Sequence, residues 1–394
     1  MGLRTADTNH RLYTVLLTAA ALLVVKMVVS FRPAWGAAQT AGPSGEAAWQ
    51  TGRRRASRRE APPPGYNSSY VAACIVVRDE HCDIREWVLH HASLGMGKVY
   101  VFDTESSHPM EPVLEDLIAS GLVDYEYVTN SSASLSKRGL QPERQGWSIN
   151  WQRHIYSLCL RRYGGRHKWM AFLDADEFIV LEDGVASLPG LLQPREQHAG
   201  VILHWRMFGH SGHMLRPQGG VLSSYTTCCD AGWGSRLYKS IVQPALVQEY
   251  VSPHNFRFRE GHQAVDMWGL PAPHPDKAQE QESYTGAVLH HYFSKSLYDY
   301  NLKMQRRSGD GGSKSLSELL RIAVQCTAEC RQAVQLGERL EQEYDLVRNV
   351  PRTCFDQGAA YQAFGGPWAK WEPTLPPDLV APLDKSPRHL LPSY

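Results

Sequence analysis

Asp174, Asp176 and Glu177 stand between two apolar runs, Trp169-Met170-Ala171-Phe172-Leu173 and Phe178-Ile179-Val180. Two carboxylates one residue apart can share a hard divalent cation, which takes oxygen ligands and bridges readily to phosphates. The stretch 168–180 reads as a buried strand whose end holds carboxylates. In a parallel sheet such an end opens onto the ligand crevice. An acidic loop after a core strand is also ordinary surface chemistry, so the surroundings have to decide.

The elements that must position these acids begin at Tyr70. Val71–Val77 is a run of small and β-branched residues closed by Arg78-Asp79-Glu80, a buried parallel strand ending in a loop. Asp83 is placed to cap a helix with Ile84, Trp87, Val88, His91 and Leu94 as its apolar stripe, and Gly95 to end it. A second strand runs from Lys98 to Asp103, a helix from Pro109 to Ser120, a third strand from Leu122 to Val128, and a helix from Ser148 to Tyr163 leads to the central strand. This alternation means βαβ units and a mostly parallel sheet flanked by helices, an α/β, Rossmann-like layer. Three strands thus end in acids, at Asp79-Glu80, Asp103 and Asp174-Asp176-Glu177. Further strands are expected at 200–206, in a pair broken by Pro244, and at 288–292. A helix capped by Ser294 or Ser296 follows, then a helical tail from Ser315 to Val347.

Upstream, Leu12–Phe31 is apolar and as long as a membrane-spanning helix requires, with Arg4 and Arg11 before it. We read residues 1–11 as a cytoplasmic tail, 12–31 as a transmembrane signal anchor, 32–69 as a Pro- and Gly-rich stem, 70–310 as the catalytic domain and 311–394 as a helical C-terminal extension. A cleaved signal peptide is the competing reading of the first segment. Asn67-Ser68-Ser69 and Asn130-Ser131-Ser132 fit the glycan acceptor pattern.

With 41 basic and 40 acidic residues in 394, bulk charge gives no argument for nucleic acid. The 17 histidines and 11 tryptophans suit sugars, bases or metals, although most tryptophans are packing residues. Eight cysteines permit disulfides without dictating connectivity. Cys326 with Cys330 fits a local bridge, adjacent Cys228 and Cys229 do not suit pairing with each other, and Cys74 reads as a buried thiol. The chain lacks GxxxxGK[ST], lacks GxGxxG after its first strand and lacks GxSxG, which argues against P-loop NTPases, dinucleotide dehydrogenases and α/β-hydrolases. A nucleotide whose pyrophosphate is neutralised by a carboxylate-held metal remains.

The segment Cys74-Ile75-Val76-Val77-Arg78-Asp79-Glu80, Glu86-Trp87, Leu94-Gly95 and Phe102-Asp103 resembles the opening of the family 92 glycosyltransferases and related family-2-like enzymes. Asp174-Ala175-Asp176-Glu177-Phe178 is similar to their Asp-x-Asp-Glu-Phe element. Trp205, Phe208-Gly209, Ser211-Gly212-His213, Lys239-Ser240-Ile241-Val242, His291-Tyr292 and Lys295-Ser296 follow in that family's order. The resemblance spans residues 70–307. It implies a GT-A fold, a nucleotide-sugar donor such as a UDP-sugar, a divalent cation commonly Mn²⁺, and an inverting transfer, often of galactose, to a glycan or polysaccharide. The address it suggests is the Golgi membrane, with the catalytic domain lumenal.

Carried onto this chain, the resemblance implies that Asp174 and Asp176 meet the metal, with His291 as a further metal or phosphate contact. Glu80 and Asp103 would line the nucleoside pocket, and Lys239 would offset phosphate charge. An inverting transfer needs a carboxylate base in the acceptor half. Asp266 is the first candidate, with Glu260 and Asp230 behind it. Trp205, Trp233 and Trp268 could stack on sugar rings. The sequence departs from the family at Asp79, where Asn is common, and at Asp103-Thr104, where Asp-Asn is common, both on the nucleotide side. A catalytically silent carbohydrate-binding protein and a metal-dependent phosphohydrolase are the readings from other classes.

Overall fold

In the computed structural model residues 69–140, 150–229, 237–272, 284–306, 313–346, 350, 351 and 354 are described. The apolar run that starts the domain forms β1 (Val71–Val77), buried on both faces. Then come α1 (Ile84–Ser93), β2 (Lys98–Thr104), α2 (Glu111–Ala119), β3 (Val123–Val128), α3 (Ser132–Lys137), α4 (Trp151–Tyr163), β4 (Trp169–Phe172), β5 (Glu177–Leu181) and α5 (Leu188–Leu192). The second half holds β6 (Gly200–Met207), α6 (Val221–Ser224), β7 (Thr227–Cys228), β8 (Tyr238–Val242), β9 (Val247–Tyr250), β10 (Phe256–Phe258), β11 (Ala264–Val265) and β12 (Ala287–His291). It closes with α7 (Leu297–Gln305), α8 (Leu316–Gln325), β13 (Ala328–Glu329) and α9 (Val334–Tyr344). No helix among the described residues is long and apolar enough to cross a membrane, and the expected span 12–31 lies outside them.

The main sheet has the order β3-β2-β1-β4-β8-β6-β12-β5, with β11 beside β6. Its first four strands are parallel, as the βαβ pattern requires. From β8 onward it is mixed, because β8 runs antiparallel to both neighbours and β5 antiparallel to β12. The stretch 168–180 is therefore not one strand. It breaks after Phe172, and the halves lie in different parts of the sheet, β4 beside β1 and β5 at the far edge. Asp174 and Asp176 occupy the turn between them, closed by the Glu177 N–H donating to the Asp174 carbonyl at 3.1 Å.

An edge strand leaves backbone groups to be satisfied. Three side chains of α1 satisfy those of β5. Trp87 Nε1 donates to the Glu177 carbonyl at 2.7 Å, and His90 Nε2 lies 2.7 Å from that of Ile179. His91 Nε2 accepts from the Ile179 N–H at 3.2 Å while its Nδ1 faces the Trp87 carbonyl at 2.8 Å. Burial holds His90 down at about 4 and His91 well below the usual imidazole range. These histidines are neutral structural groups, not ligands. Gly95 ends α1 at φ 106°, where a Cβ would also come within 2.6 Å of Pro189 Cδ.

Four disulfides correct the cysteine reading. Cys74 pairs with Cys159, joining β1 to α4, and is no free thiol. Cys326 and Cys330 do not pair with each other; they go to Cys229 and Cys228 respectively, and Cys82 pairs with Cys354. The expected helical stretch 315–347 holds two helices, α8 and α9, and the disulfides of Cys326 and Cys330 bind it to the sheet domain, as that of Cys354 does just after it. Glu341 on α9 adds to this by accepting from the Gly220 N–H at 2.6 Å. Residues 313–346 thus pack in the same compact unit as the sheet.

Candidate active site

The exits of β1, β4 and β12 and the start of β8 bring Glu80, Asp174, Asp176, Lys239 and His291 into one charged cluster. Asp174 Oδ2 accepts from Lys239 Nζ at 2.8 Å, and Oδ1 from Gln152 Nε2 at 2.6 Å. Gln152 stands in the first turn of α4, whose N-terminus is fixed by Asn150 accepting from the Arg153 N–H. Lys239, in the middle of the sheet, is 1 % exposed and reaches Asp174 from the protein interior rather than as a surface lysine. Its ammonium also lies 3.6 Å from Glu177 Oε2. Burial pushes the Glu177 carboxyl well above the usual range, further than Lys239 lowers it, so Glu177 is neutral and Asp174 carries the charge. Burial raises Asp174 too, but Lys239 outweighs it and the group ends below its ordinary value.

Asp176 has a separate set of partners. Its Oδ2 pairs with Lys303 of α7 and lies 3.5 Å from His291 Nε2. Burial raises this carboxyl, and Lys303 with His291 more than reverse that, holding it well below the carboxylate range. His291 is lowered by burial against the pull of Asp176, so its ring is neutral, the form that binds metals. Among the described residues its Nδ1 has no hydrogen-bond partner. The ring packs 4.2 Å from that of Trp205, which lies 5.2 Å from His254, so Trp205 wedges the histidine rather than facing a sugar.

Asp176 and His291 therefore fit a divalent cation: an ionised oxygen donor and a neutral nitrogen donor facing one point. Asp174 fits less directly, because both of its oxygens are held, and it would have to turn from Lys239. The one grouping of three metal-type donors within 4.8 Å among the described residues, His81 with Cys82 and Cys354, has both sulfurs in a disulfide.

Glu80 is in the cluster but engaged by cations. Lys295 Nζ lies 3.1 Å from its Oε2, and Arg306 pairs with its Oε1. Lys295 is buried at φ 50°, a left-handed conformation that costs a non-glycine residue energy and gathers at functional sites. It also pairs with Asp83, whose other oxygen takes Arg216 at 2.5 Å. Asp83 consequently makes no side-chain cap on α1, against the sequence expectation.

Three expected site residues are elsewhere. Asp103 is fully buried, and its oxygens accept from Tyr125 Oη at 2.7 Å and from the Ser106 and Met110 N–H groups at 3.2 Å each. It shapes the loop after β2 from inside and turns no oxygen to a nucleoside. Asp266 is buried as well, accepting from the Trp268 and Leu270 N–H groups at 2.9 Å. By register it is level with Ile202, five residues below His291's partner Met207, or about 17 Å along the sheet. Glu260 is exposed on the turn before β11, lower still. Neither acid can serve as base at this cluster in this arrangement. Asp230 and Trp233 lie outside the described residues, and Trp268 is half exposed beside Asp266, far from the acids.

The sequence reading missed Gln152, Lys303 and Arg306 as site residues. The last two stand one helical turn apart on and just after α7, a signal that acquires meaning only when α7 is known to close over the strand ends.

Residues 70–292 match the family model of glycosyltransferase family 92. A family 92 protein of Ricinus communis is 25 % identical over 210 residues, covering 50 % of this chain and 33 % of the relative. One of Oryza sativa subsp. japonica is 27 % identical over 220 residues, 52 % and 34 % of the two chains. The chain thus spans about one third of the length of these curated relatives. Among solved structures, S. aureus TarS 1-349 in complex with UDP-GlcNAc is 12 % identical over 72 % of this chain and 82 % of that one, with a TM-score of 0.31. A TM-score that low carries no argument about this chain. The match to the family model covers more than half of the sequence and includes both acids of the β4–β5 turn, and the chain belongs to glycosyltransferase family 92.

Proposed function

We propose that this protein is a metal-dependent glycosyltransferase on a GT-A fold. It moves a sugar, galactose favoured, from a UDP-sugar to a glycan or polysaccharide acceptor, with inversion. The observation that supports this most is the Asp176–His291 pair at the sheet's strand ends, in a chain of this family. Asp176 and His291 would hold a divalent cation such as Mn²⁺, with Asp174 completing the set. When bound, the cation would act as a Lewis acid on the departing nucleoside diphosphate. Lys295 and Arg306 line the same rim as Glu80 and bring positive charge to the side where phosphates would lie. Lys239 keeps Asp174 ionised from beneath, and Asp174 would turn from it to reach the cation. The anchor 12–31 would put this site in the Golgi lumen, and the exposed Asn130 is open to a glycan there.

The test is donor hydrolysis and transfer by the purified chain across UDP- and GDP-sugars, with Mn²⁺ or a chelator, beside Asp174→Ala with Asp176→Ala. Turnover of one donor, lost with chelator and in the double variant, is expected. A folded protein that turns over no donor with any acceptor would refute the transferase and favour a carbohydrate-binding role.

A further inference from the structure

The position that suits a cation beside Asp176 is already taken by a cation of the chain itself. Lys303 Nζ pairs with Asp176 Oδ2, donates to the Phe293 carbonyl at 2.9 Å, and rests 4.9 Å from the centre of the Phe293 ring. The same Asp176 oxygen faces His291 Nε2 at 3.5 Å. We propose that Lys303 is an internal counter-ion, displaced from Asp176 when a divalent cation binds together with a nucleoside diphosphate, whose phosphates then receive the freed ammonium. This rests on the metal reading above and deepens it by assigning an order of binding.

Charge balance carries the argument. Each ionised acid of the cluster already has a cation: Glu80 and Asp83 share Lys295, Asp174 has Lys239 and Asp176 has Lys303. A bare dication entering here would add charge to a neutral, poorly hydrated place, which is costly. A diphosphate arriving with it cancels that charge and gives the displaced ammonium a new partner. Exposure distinguishes Lys303 from the other lysines of the cluster. Its side chain is 20 % exposed at the end of a helix, whereas Lys239 is 1 % and Lys295 8 % exposed. Lys303 can swing on a flexible stem, and the other two are enclosed.

The experiment is a Mn²⁺ titration of the full chain in detergent, following the electron paramagnetic resonance of free Mn²⁺, with and without UDP. Lys303→Met is expected to bind Mn²⁺ alone about tenfold more tightly than the wild type, since no internal cation competes. UDP is expected to strengthen Mn²⁺ binding more in the wild type than in this variant, and Lys303→Arg to stay as weak as the wild type. If Lys303→Met does not fold by circular dichroism, Lys303→Gln replaces it. Mn²⁺ affinity that is unchanged or weaker in a folded variant overturns the counter-ion role and leaves the metal reading intact. Mn²⁺ left free by both proteins even with UDP overturns both.

Discussion

Replacing Lys239 by Met tests whether the cluster is as dry as its geometry implies. The ammonium is 2.8 Å from Asp174 Oδ2, so the attraction is about 6 kcal/mol at an effective dielectric constant of about 20. Bringing the lysine out of water costs several kcal/mol, so the pair itself contributes little net stability. Deleting one partner is different, because the other is left charged. Such deletions cost about 3–5 kcal/mol when both groups are enclosed. Asp174 keeps 31 % of its side chain in solvent, and Glu177 is already neutral, so the loss belongs at the lower end, about 3 kcal/mol. The assay is urea unfolding at pH 7 of the wild type, Lys239→Met, Asp174→Asn and the double variant. A coupling of about 2–3 kcal/mol is expected, with the double variant more stable than Lys239→Met alone. Single-variant losses that add to within about 0.5 kcal/mol would refute the reasoning, since they would mean that water screens the pair.

Stability should fall on acidification from pH 6.5 to 4.5. Burial lowers His90 and His210 to about 4, so their contribution is full above the ordinary imidazole value and is lost as pH falls. Burial raises Glu86 to about 7 despite two backbone N–H donors, so its contribution has the opposite sign, present below the ordinary carboxyl value and lost as pH rises through 7. The lowered histidines, His254 at about 4 among them, outnumber the raised glutamates Glu86 and Glu177, so protons favour the unfolded chain across that window. Urea midpoints that stay flat or rise on acidification would contradict it. Asp266→Asn should keep kcat within about twofold while lowering stability by about 1–3 kcal/mol, since it is buried, accepts from the Trp268 and Leu270 N–H groups and lies far from the cluster. A loss of kcat of a hundredfold or more in a folded protein would return Asp266 to the role of base.

The parallel half of the fold was legible because each strand is a short apolar run with a helix stripe after it. The break between β4 and β5 was not, since apolar residues flank the acids on both sides and only pairing partners show that they diverge. Local caps divided in the same way. Ser296 caps α7 by accepting from the Asp299 N–H, a contact three residues away, whereas Asp83 is drawn from its cap by Arg216, 133 residues on. That Asp174, Asp176 and His291 gather at the strand ends was legible from motif order, which carries information about strand ends. Asp103 and Asp266 were misread because type and loop position do not say whether a carboxylate turns outward or accepts backbone N–H groups inside. The disulfides escaped because neighbours in sequence, Cys228 and Cys229, bond to residues 102 and 97 positions later.

The long reach of those contacts has a consequence for how the protein is made. Glu80 and Asp83 meet Lys295 212 to 215 residues further along, and the bond from Cys82 spans 272. While the chain emerges from the ribosome, its first strands can pair, and Arg216 and Lys239 can reach Asp83 and Asp174, but Glu80 and Asp176 have no counter-charge until residues 295–306 appear. Closing such long loops is slow compared with local pairing. Residues 295–306 therefore complete the site, and a ribosome that stops before Lys295 releases a chain with all the strands of the main sheet but with Glu80 and Asp176 lacking the cations that hold them.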